Sequence, residues 1–179
     1  MDNTSGSGML VGMTLSKLCL ACGLCCDGSL FRFVPAQESE AELHLKLGLP
    51  VVQQSGRAAM ALPCQRLSER QCTVYEERPS GCRAYVCRLG DELERGEVSF
   101  AHALAVVREA QRRIAALAAA WPTEGPVVQS ATLAALEADS SLSDAAYELL
   151  ADARSWIDQE LHWPEDSRAC PSPPMGERG

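Results

Sequence analysis

Aromatic residues are scarce in this sequence, and it has neither a long apolar run nor an excess of basic charge. Phe, Trp and Tyr make up 5% of the 179 residues, so the core must consist mainly of Leu, Ala and Val. No stretch approaches the roughly 18 apolar residues of a membrane span. The first residues lack the basic and apolar segments of a secretory signal. We therefore expect a cytoplasmic protein without a membrane-bound part.

The charge is unevenly distributed. The formal net charge is −8. Acidic and basic residues nearly cancel as far as Arg88, whereas acidic residues predominate beyond Asp91. Nucleic-acid binding needs basic patches along the phosphate backbone. We therefore expect no nucleic-acid partner.

Familiar catalytic signatures are absent as well. The sequence contains no Ser-His-Asp set, Walker loop or dinucleotide fingerprint. Its three histidines, His44, His102 and His162, are far apart and without paired spacing, so we expect surface or core positions for them. The sequence therefore leaves open whether the protein is an enzyme, and it identifies no catalytic residue.

Cysteine is abundant. Four of the nine cysteines fall within eight residues. Disulfides are rare in a reducing cytosol, and an odd number fits disulfide pairing poorly. Thiolates at this density are typical of a soft metal, bound as tetrahedral ions or as an iron–sulfur cluster. The predicted metal ligands are Cys19, Cys22, Cys25, Cys26, Cys64, Cys72, Cys82 and Cys87, and Cys170, in a Pro-rich tail, is left over.

The local geometry of the cysteine run allows two interpretations. On a helix, Cys19, Cys22 and Cys26 would share one face and Cys25 would point aside. In a turn, Gly23 would supply a positive φ and direct backbone N–H groups towards sulfur. We favour the turn for Cys19 to Cys22. In either geometry Cys25 and Cys26 point in different directions and need not bind the same ion.

The pattern of the chain predicts an α+β fold, with a small metal-centred, cysteine-rich domain of short strands followed by an α-helical C-terminal half. The predicted divisions are a flexible leader over 1–16, the cysteine domain over 17–90, an acidic helical region over 91–164 and a disordered tail over 165–179.

Within the cysteine domain we expect a strand over 29–34, a helix over 36–47 and a hairpin joining 51–52 to 58–62. In the second half, helical spacing of apolar residues predicts a helix over 97–121 with Ser99 as its N-cap. A short helix over 133–138 follows. Ser141 and Asp144 form a capping-box pair for a last helix that reaches Leu161.

The cysteine spacing resembles that of a known family. The run C-x-x-C-x-x-C-C is followed by an isolated cysteine and by the pattern C-x-[IV]-Y-x-x-R-P-x-x-C-R-x-[YF] from Cys72 to Tyr85. These features are similar to the CxxCxxCC (YkgJ-like) cysteine-cluster family, described as zinc- or iron-chelating, over about residues 17–90. The resemblance implies metal binding. A related cluster in flagellin lysine methylases implies that such clusters can accompany protein modification.

The surroundings of the thiols suggest further roles. Eight thiolates around two divalent ions would keep a net negative charge, which Arg78, Arg83 and Arg88 could offset while donating second-shell hydrogen bonds to sulfur. Tyr75 and Tyr85 are predicted to pack as walls of the centre. Two zinc sites, a binuclear site with shared thiolates and one four-cysteine cluster with spare thiols all remain open.

The leading hypothesis is a cytosolic protein that binds zinc or iron, as ions or as an iron–sulfur cluster. One alternative is an iron or iron–sulfur enzyme, or enzyme component, that modifies a peptide or protein. Another is metal storage or delivery. The expected partners are metal ions and a protein or peptide, and the chain is expected to be a monomer or a homodimer through its C-terminal helices.

Overall fold

The computed structural model describes residues 7–120, 133 and 143–162. The helices are α1 (Ser7–Cys22), α2 (Ala41–Lys46), α3 (Ser80–Ala84), α4 (Arg88–Glu94), α5 (Phe100–Ala120) and α6 (Asp144–Glu160), with a 3₁₀ turn at Glu38–Glu40. The strands are β1 (Phe33–Pro35), β2 (Val51–Gln54), β3 (Arg57–Ala61), β4 (Leu67–Ser68) and β5 (Gln71–Cys72).

The strands form two small antiparallel sheets, which together with the helices confirm the predicted α+β class. The larger sheet has the order β1-β3-β2, and the smaller one pairs β4 with β5. The predicted hairpin is β2–β3, with Val52 opposite Ala59. Its two-residue loop has positive φ at both Ser55 and Gly56. Positive φ at both positions is the geometry that matches the twist of the flanking strands.

The segment between the first strand and the hairpin is less regular than predicted. Strand β1 lies at the edge of its sheet, where Pro35 is tolerated although it has no N–H to donate. The Ala36 N–H still bonds the Ala58 carbonyl of β3 at 3.0 Å, so the backbone remains paired with the sheet at this residue. The α-helix begins only at Ala41. The predicted helix over 36–47 is therefore a 3₁₀ turn followed by the short helix α2.

The long helix of the second half is confirmed as α5. Its predicted cap is present, since the His102 N–H bonds the Ser99 hydroxyl at 3.2 Å. The cap predicted for the last helix is wrong: α6 begins at Asp144, and Ser143 accepts the Ala146 N–H at 3.3 Å. Ser141 lies outside the described residues, as does the short helix predicted over 133–138 apart from Leu133, which is helical and buried.

Two apolar cores hold the molecule together. The large core is formed by α1, α4, α5 and α6, and its most deeply buried side chains include Leu89, Val107, Leu117 and Ile157. Helix α5 packs against α6, α1 and α4. The small core consists of Leu47, Leu49 and Met60, from the end of α2 and strand β3.

The apolar stripes of α5 and α6 face inwards, against the large core. In α6, Leu150 and Ile157 are buried, whereas Leu149 and Trp156 pack at the margin of the core. Across the same interface, the Arg113 guanidinium lies 4.5 Å from the centre of the Trp156 ring. Over the described segments, no helix combines the length and apolar character needed to cross a membrane.

Candidate metal centre

The first two predicted ligands lie on a helix, so the preferred turn for Cys19 to Cys22 is wrong. Helix α1 runs from Ser7 to Cys22, and thus begins inside the segment predicted as a leader. Tertiary packing explains this: Leu18 and Cys22 are buried against the large core. The turn begins one residue later, where the Gly23 N–H bonds the Cys19 carbonyl at 3.2 Å and Gly23 adopts φ +69°. A left-handed glycine at this position is a common way to end a helix.

The turn after α1 carries the next two thiols and is fixed on both sides. The Cys26 and Asp27 N–H groups both bond the Gly23 carbonyl at 2.9 Å. The Asp27 carboxylate accepts the Ser29 N–H at 2.8 Å and an Arg70 N–H at 2.9 Å. Burial raises the pKa of Asp27, and the bonds from Ser29 and Arg70 oppose that rise. The thiols of the turn are thereby held on a defined backbone.

A short hairpin supplies two further thiols. The Cys64 N–H bonds the Cys26 carbonyl at 2.8 Å, which places the isolated cysteine beside the end of the cysteine run. The Arg66 N–H then lies 3.4 Å from the Cys64 sulfur. Pairing of β4 with β5 sets Cys72 opposite Leu67. This arrangement brings Cys26, Cys64 and Cys72 into one neighbourhood.

The last two thiols lie at or near the starts of two short helices. Cys82 lies on α3, whose first residue is held by Glu40: the Ser80 N–H and hydroxyl donate to this carboxylate at 3.0 and 2.7 Å. Cys87 is the N-cap of α4, and its sulfur accepts the Gly90 N–H at 3.4 Å. Backbone N–H groups directed at sulfur are typical of protein surroundings that stabilise thiolate.

All eight predicted ligands line one cavity of about 270 Å³ between the two cores. All eight are free thiols, and Cys19 is the most exposed of them. In this arrangement no three Cys, His, Asp or Glu side chains of the described residues are grouped in a way that could hold a metal ion. The eight thiols thus line a common cavity, but their sulfur atoms are not close enough together to coordinate one ion.

The surroundings favour neutral thiols in the metal-free protein. Burial, with smaller contributions from neighbouring thiols, raises the pKa of Cys26 to about 12 and that of Cys82 and Cys87 to about 11. Burial also raises the pKa of Cys22, Cys25, Cys19 and Cys64. A cation bound among these sulfurs would have to displace protons.

The electrostatic neighbours of the thiols fall into two groups. Cys25 interacts most strongly with Cys22, Cys87 and Cys19. Its sequence neighbour Cys26 acts least on Cys25 among these thiols, and the thiols that raise the pKa of Cys26 itself are Cys72, Cys64 and Cys82. The expectation that Cys25 and Cys26 point in different directions agrees with this division.

Two of the predicted outer residues contact the thiols. The Arg78 guanidinium lies 3.5 Å from the centre of the Tyr75 ring and donates to the Tyr75 carbonyl at 2.7 Å. Its positive charge opposes the rise in pKa of both Cys19 and Cys82. The Tyr75 side chain shares hydrogen bonds with Ser16 and Cys19. Arg78 therefore acts on a thiol from each group.

The other predicted outer residues differ in position. Tyr85 lines the cavity and packs edge-on against Phe31, with 4.5 Å between the ring centres. The half-exposed Arg83 is outside the cavity lining and lies 4.0 Å from Glu40. Arg88 is directed towards the end of α6, where it bonds the Gln159 carbonyl.

Sequence reasoning missed several residues that position the site. The Gln111 side chain, on α5, donates to the carbonyls of Ala21 and Cys22 at 2.9 Å. Arg70, in the turn between β4 and β5, forms an ion pair with the Asp27 carboxylate. Both act across long sequence separations that leave no local signal. His44 is buried in the region of the small core and is not among the residues lining the thiol cavity.

Comparison with known proteins agrees with the cysteine pattern. The model of the CxxCxxCC family, described as "Putative zinc- or iron-chelating domain", matches residues 18–102. The match confirms the resemblance inferred from the spacing and extends it through α4 into the first turn of α5. Neither the curated proteins nor the solved structures include a match to the chain.

Proposed function

We propose that this chain, whose residues 18–102 match the model of the CxxCxxCC family, is a metal-binding protein that holds zinc or iron through its eight clustered thiolates. In this proposal the metal has a structural role: it joins the small, sheet-containing part of the molecule to the helical core. The ligands are Cys19, Cys22, Cys25, Cys26, Cys64, Cys72, Cys82 and Cys87.

The observation that carries the proposal is the convergence of eight free thiols on one cavity. They come from three separate stretches of sequence, yet all line the same 270 Å³ space. Thiolate sulfur is the ligand that zinc and iron–sulfur centres prefer. The donor chemistry therefore fits the metals named by the family description.

Binding requires the thiols to move together, because no three of the described donor side chains stand close enough as they are. A cysteine sulfur is displaced by rotation about a single torsion, χ1, which has three staggered positions. The cavity gives the sulfurs room for that rotation. On this proposal, metal uptake is accompanied by contraction of the cavity.

The small core shows why a metal would matter for stability. Among the described residues its fully buried members are Leu47, Leu49 and Met60, with partly buried side chains packed around them. So small a core rarely holds a domain together without a metal or a disulfide. Structural zinc contributes about 10–16 kcal/mol in small zinc-finger peptides. The net stability of a typical domain is about 5–15 kcal/mol. Loss of the metal should therefore unfold this part first.

The finer alternatives are parts of the same proposal and can be separated by experiment. We place the protein in a reducing compartment such as the cytoplasm, because eight free thiols would oxidise elsewhere. An enzyme needs an open coordination position, whereas four protein thiolates close a site. An iron–sulfur cluster would add inorganic sulfide and visible absorption. Storage or delivery would require that the metal exchange readily.

The test is elemental and sulfide analysis of anaerobically purified full-length protein, followed by chelation. We expect zinc or iron in fixed stoichiometry, and loss of near-ultraviolet circular dichroism and of the thermal transition when a chelator removes it under reducing conditions. Sulfide together with brown colour assigns a cluster, and colourless protein assigns zinc. Protein that purifies without metal, or keeps its melting temperature after chelation, would refute the structural role.

A further inference from the structure

The eight thiols lie on two different parts of the fold. Cys22, Cys25 and Cys87 pack against the large core, which is made of helices. Cys64 and Cys82 pack against the small core, beside the three-stranded sheet. The cavity between these cores thus has thiols on both of its sides.

The helical side brings together four thiols. Cys19 and Cys22 are one helical turn apart on α1, which packs against α4. The close approach of these helices depends on Gly90, since a Cβ there would lie 2.9 Å from a Leu15 methyl group and 3.5 Å from the Cys87 sulfur. Cys87 caps α4 at that point. We call Cys19, Cys22, Cys25 and Cys87 the helix set.

The sheet side brings together the other four. The Cys64 backbone is hydrogen-bonded to Cys26, and the β4–β5 pairing folds Cys72 back towards Cys64. Helix α3 packs against β1 and delivers Cys82, whose electrostatic neighbours include Cys64 and Cys72. We call Cys26, Cys64, Cys72 and Cys82 the sheet set.

The division falls between two adjacent residues. Cys25 belongs with the helix set and Cys26 with the sheet set, since consecutive side chains of the turn leave the backbone in different directions. With Cys26 removed from the count, the helix set has the spacing C-x₂-C-x₂-C followed by a distant fourth cysteine. A closely spaced group of three cysteines and a remote fourth is a ligand pattern known from iron–sulfur proteins.

We infer that the two sets are two separate metal centres, each closed by four thiolates and sharing no ligand. This inference rests on the proposed function, and it adds which thiols act together. Four thiolates complete a tetrahedral centre of zinc or of iron, so neither set needs a bridging sulfur from the other. Arg78, which acts on Cys19 of one set and Cys82 of the other, lies where it can offset the negative charge of both centres.

The test uses ¹¹³Cd²⁺ as a probe of thiolate sites in the full-length protein, observed by ¹¹³Cd nuclear magnetic resonance. Cd²⁺ is titrated into reduced protein, and wild type is compared with Cys25→Ser and Cys26→Ser. The two variants change adjacent residues of the same turn. Any general disturbance of the turn should therefore be similar in both, and a difference between them reports on the thiol that was removed. Cys19→Ser, at an exposed position, and Cys64→Ser repeat the comparison with substitutions outside the turn.

We expect two Cd²⁺ per wild-type chain and two resonances. Cys25→Ser and Cys19→Ser should shift or remove the same one, and Cys26→Ser and Cys64→Ser the other, each variant keeping one resonance unchanged. Loss or shift of both resonances in a Cys19→Ser or Cys64→Ser protein that keeps its wild-type circular dichroism would show shared ligands and overturn the inference. Resonances that pair Cys25 with Cys64 would overturn it too.

Two further results keep the proposals distinct. If wild type binds no Cd²⁺ and contains no metal when purified anaerobically, the proposed function itself fails. If the variants do not fold, limiting chelator is added to the wild-type protein and released thiols are alkylated and located by mass spectrometry. Release in the helix and sheet sets as separate blocks of four supports the inference, and simultaneous release of all eight refutes it.

Discussion

Replacement of Gly23 by alanine should separate the effect of backbone strain from that of a close contact at the metal centre. Gly23 ends α1 with φ +69°. A Cβ built at this position would lie 2.5 Å from the Arg70 carbonyl oxygen and 3.3 Å from the Arg70 Cβ. Gly96 offers a matched control, since it has φ +74° and nothing within 4 Å of the corresponding Cβ.

The magnitude follows from two additive costs. Placing alanine in the left-handed region costs about 1–2 kcal/mol, and both variants incur that cost. Only Gly23→Ala must also displace the Arg70 backbone, and overpacking of this kind typically costs about 1–3 kcal/mol. The neighbouring turn cannot yield freely, because Arg70 itself has φ +65° and its side chain is bonded to Asp27. We therefore expect Gly23→Ala to lose about 1–3 kcal/mol more than Gly96→Ala.

The assay is urea unfolding of the metal-loaded variants, with metal release by a chelator measured in parallel. Gly23→Ala should also release metal faster, because the displaced hairpin carries Cys72. Equal losses of unfolding free energy in the two variants would refute the contact argument. A large loss in both with unchanged metal release would show that strain alone acts at this turn.

Two further predictions concern the carboxylates of Glu40 and Glu109. Glu40→Ala should lower the free energy of unfolding by about 1.5–3 kcal/mol, because it removes charge-assisted bonds to Ser80. Urea unfolding checks this, and a loss no larger than that of the exposed control Glu42→Ala would contradict it. Hydrogen bonds from Arg112, opposed by burial and supported by the charges of Arg112 and Arg113, lower the pKa of Glu109 from 4.5 to about 2. A carboxylate with a lowered pKa in the folded protein stabilises the fold above its unfolded-state pKa, and this stability is lost as pH falls towards the folded-state pKa. The melting temperatures of wild type and Glu109→Gln should therefore converge as pH falls below about 4.5. A difference that stays constant with pH would contradict this.

Local sequence signals predicted the parts of the fold that local physics determines. The β2–β3 hairpin was predictable because short apolar runs lie on both sides of a Ser-Gly pair, and α5 because its apolar stripe follows a capping serine. The geometry of Cys19 to Cys22 was not, since the same spacing fits a helix and a turn. Burial of Leu18 and Cys22 against distant helices decides it. The role of Ser143 as the cap of α6 was not predicted either.

The thiols themselves were predictable, but their grouping was not. The sequence indicated only that Cys25 and Cys26 point in different directions, and not which of the other six thiols lies near each. Their separation depends on the hydrogen bond from Cys64 to Cys26 and on the packing of α1 against α4. Both contacts join residues far apart in the chain. The role of Gln111 at the end of α1 is hidden for the same reason.

The end of α6 is attached to the start of α4, beside the centre. The Arg88 N–H bonds the Leu161 carbonyl at 3.1 Å, its side chain bonds the Gln159 carbonyl, and Leu161 lines the thiol cavity. Residue 102, where the family match ends, is therefore not a boundary of the folded unit. A fragment cut there would lose one wall of the cavity next to Cys87. The acidic helices are in this sense part of the wall around the eight thiols.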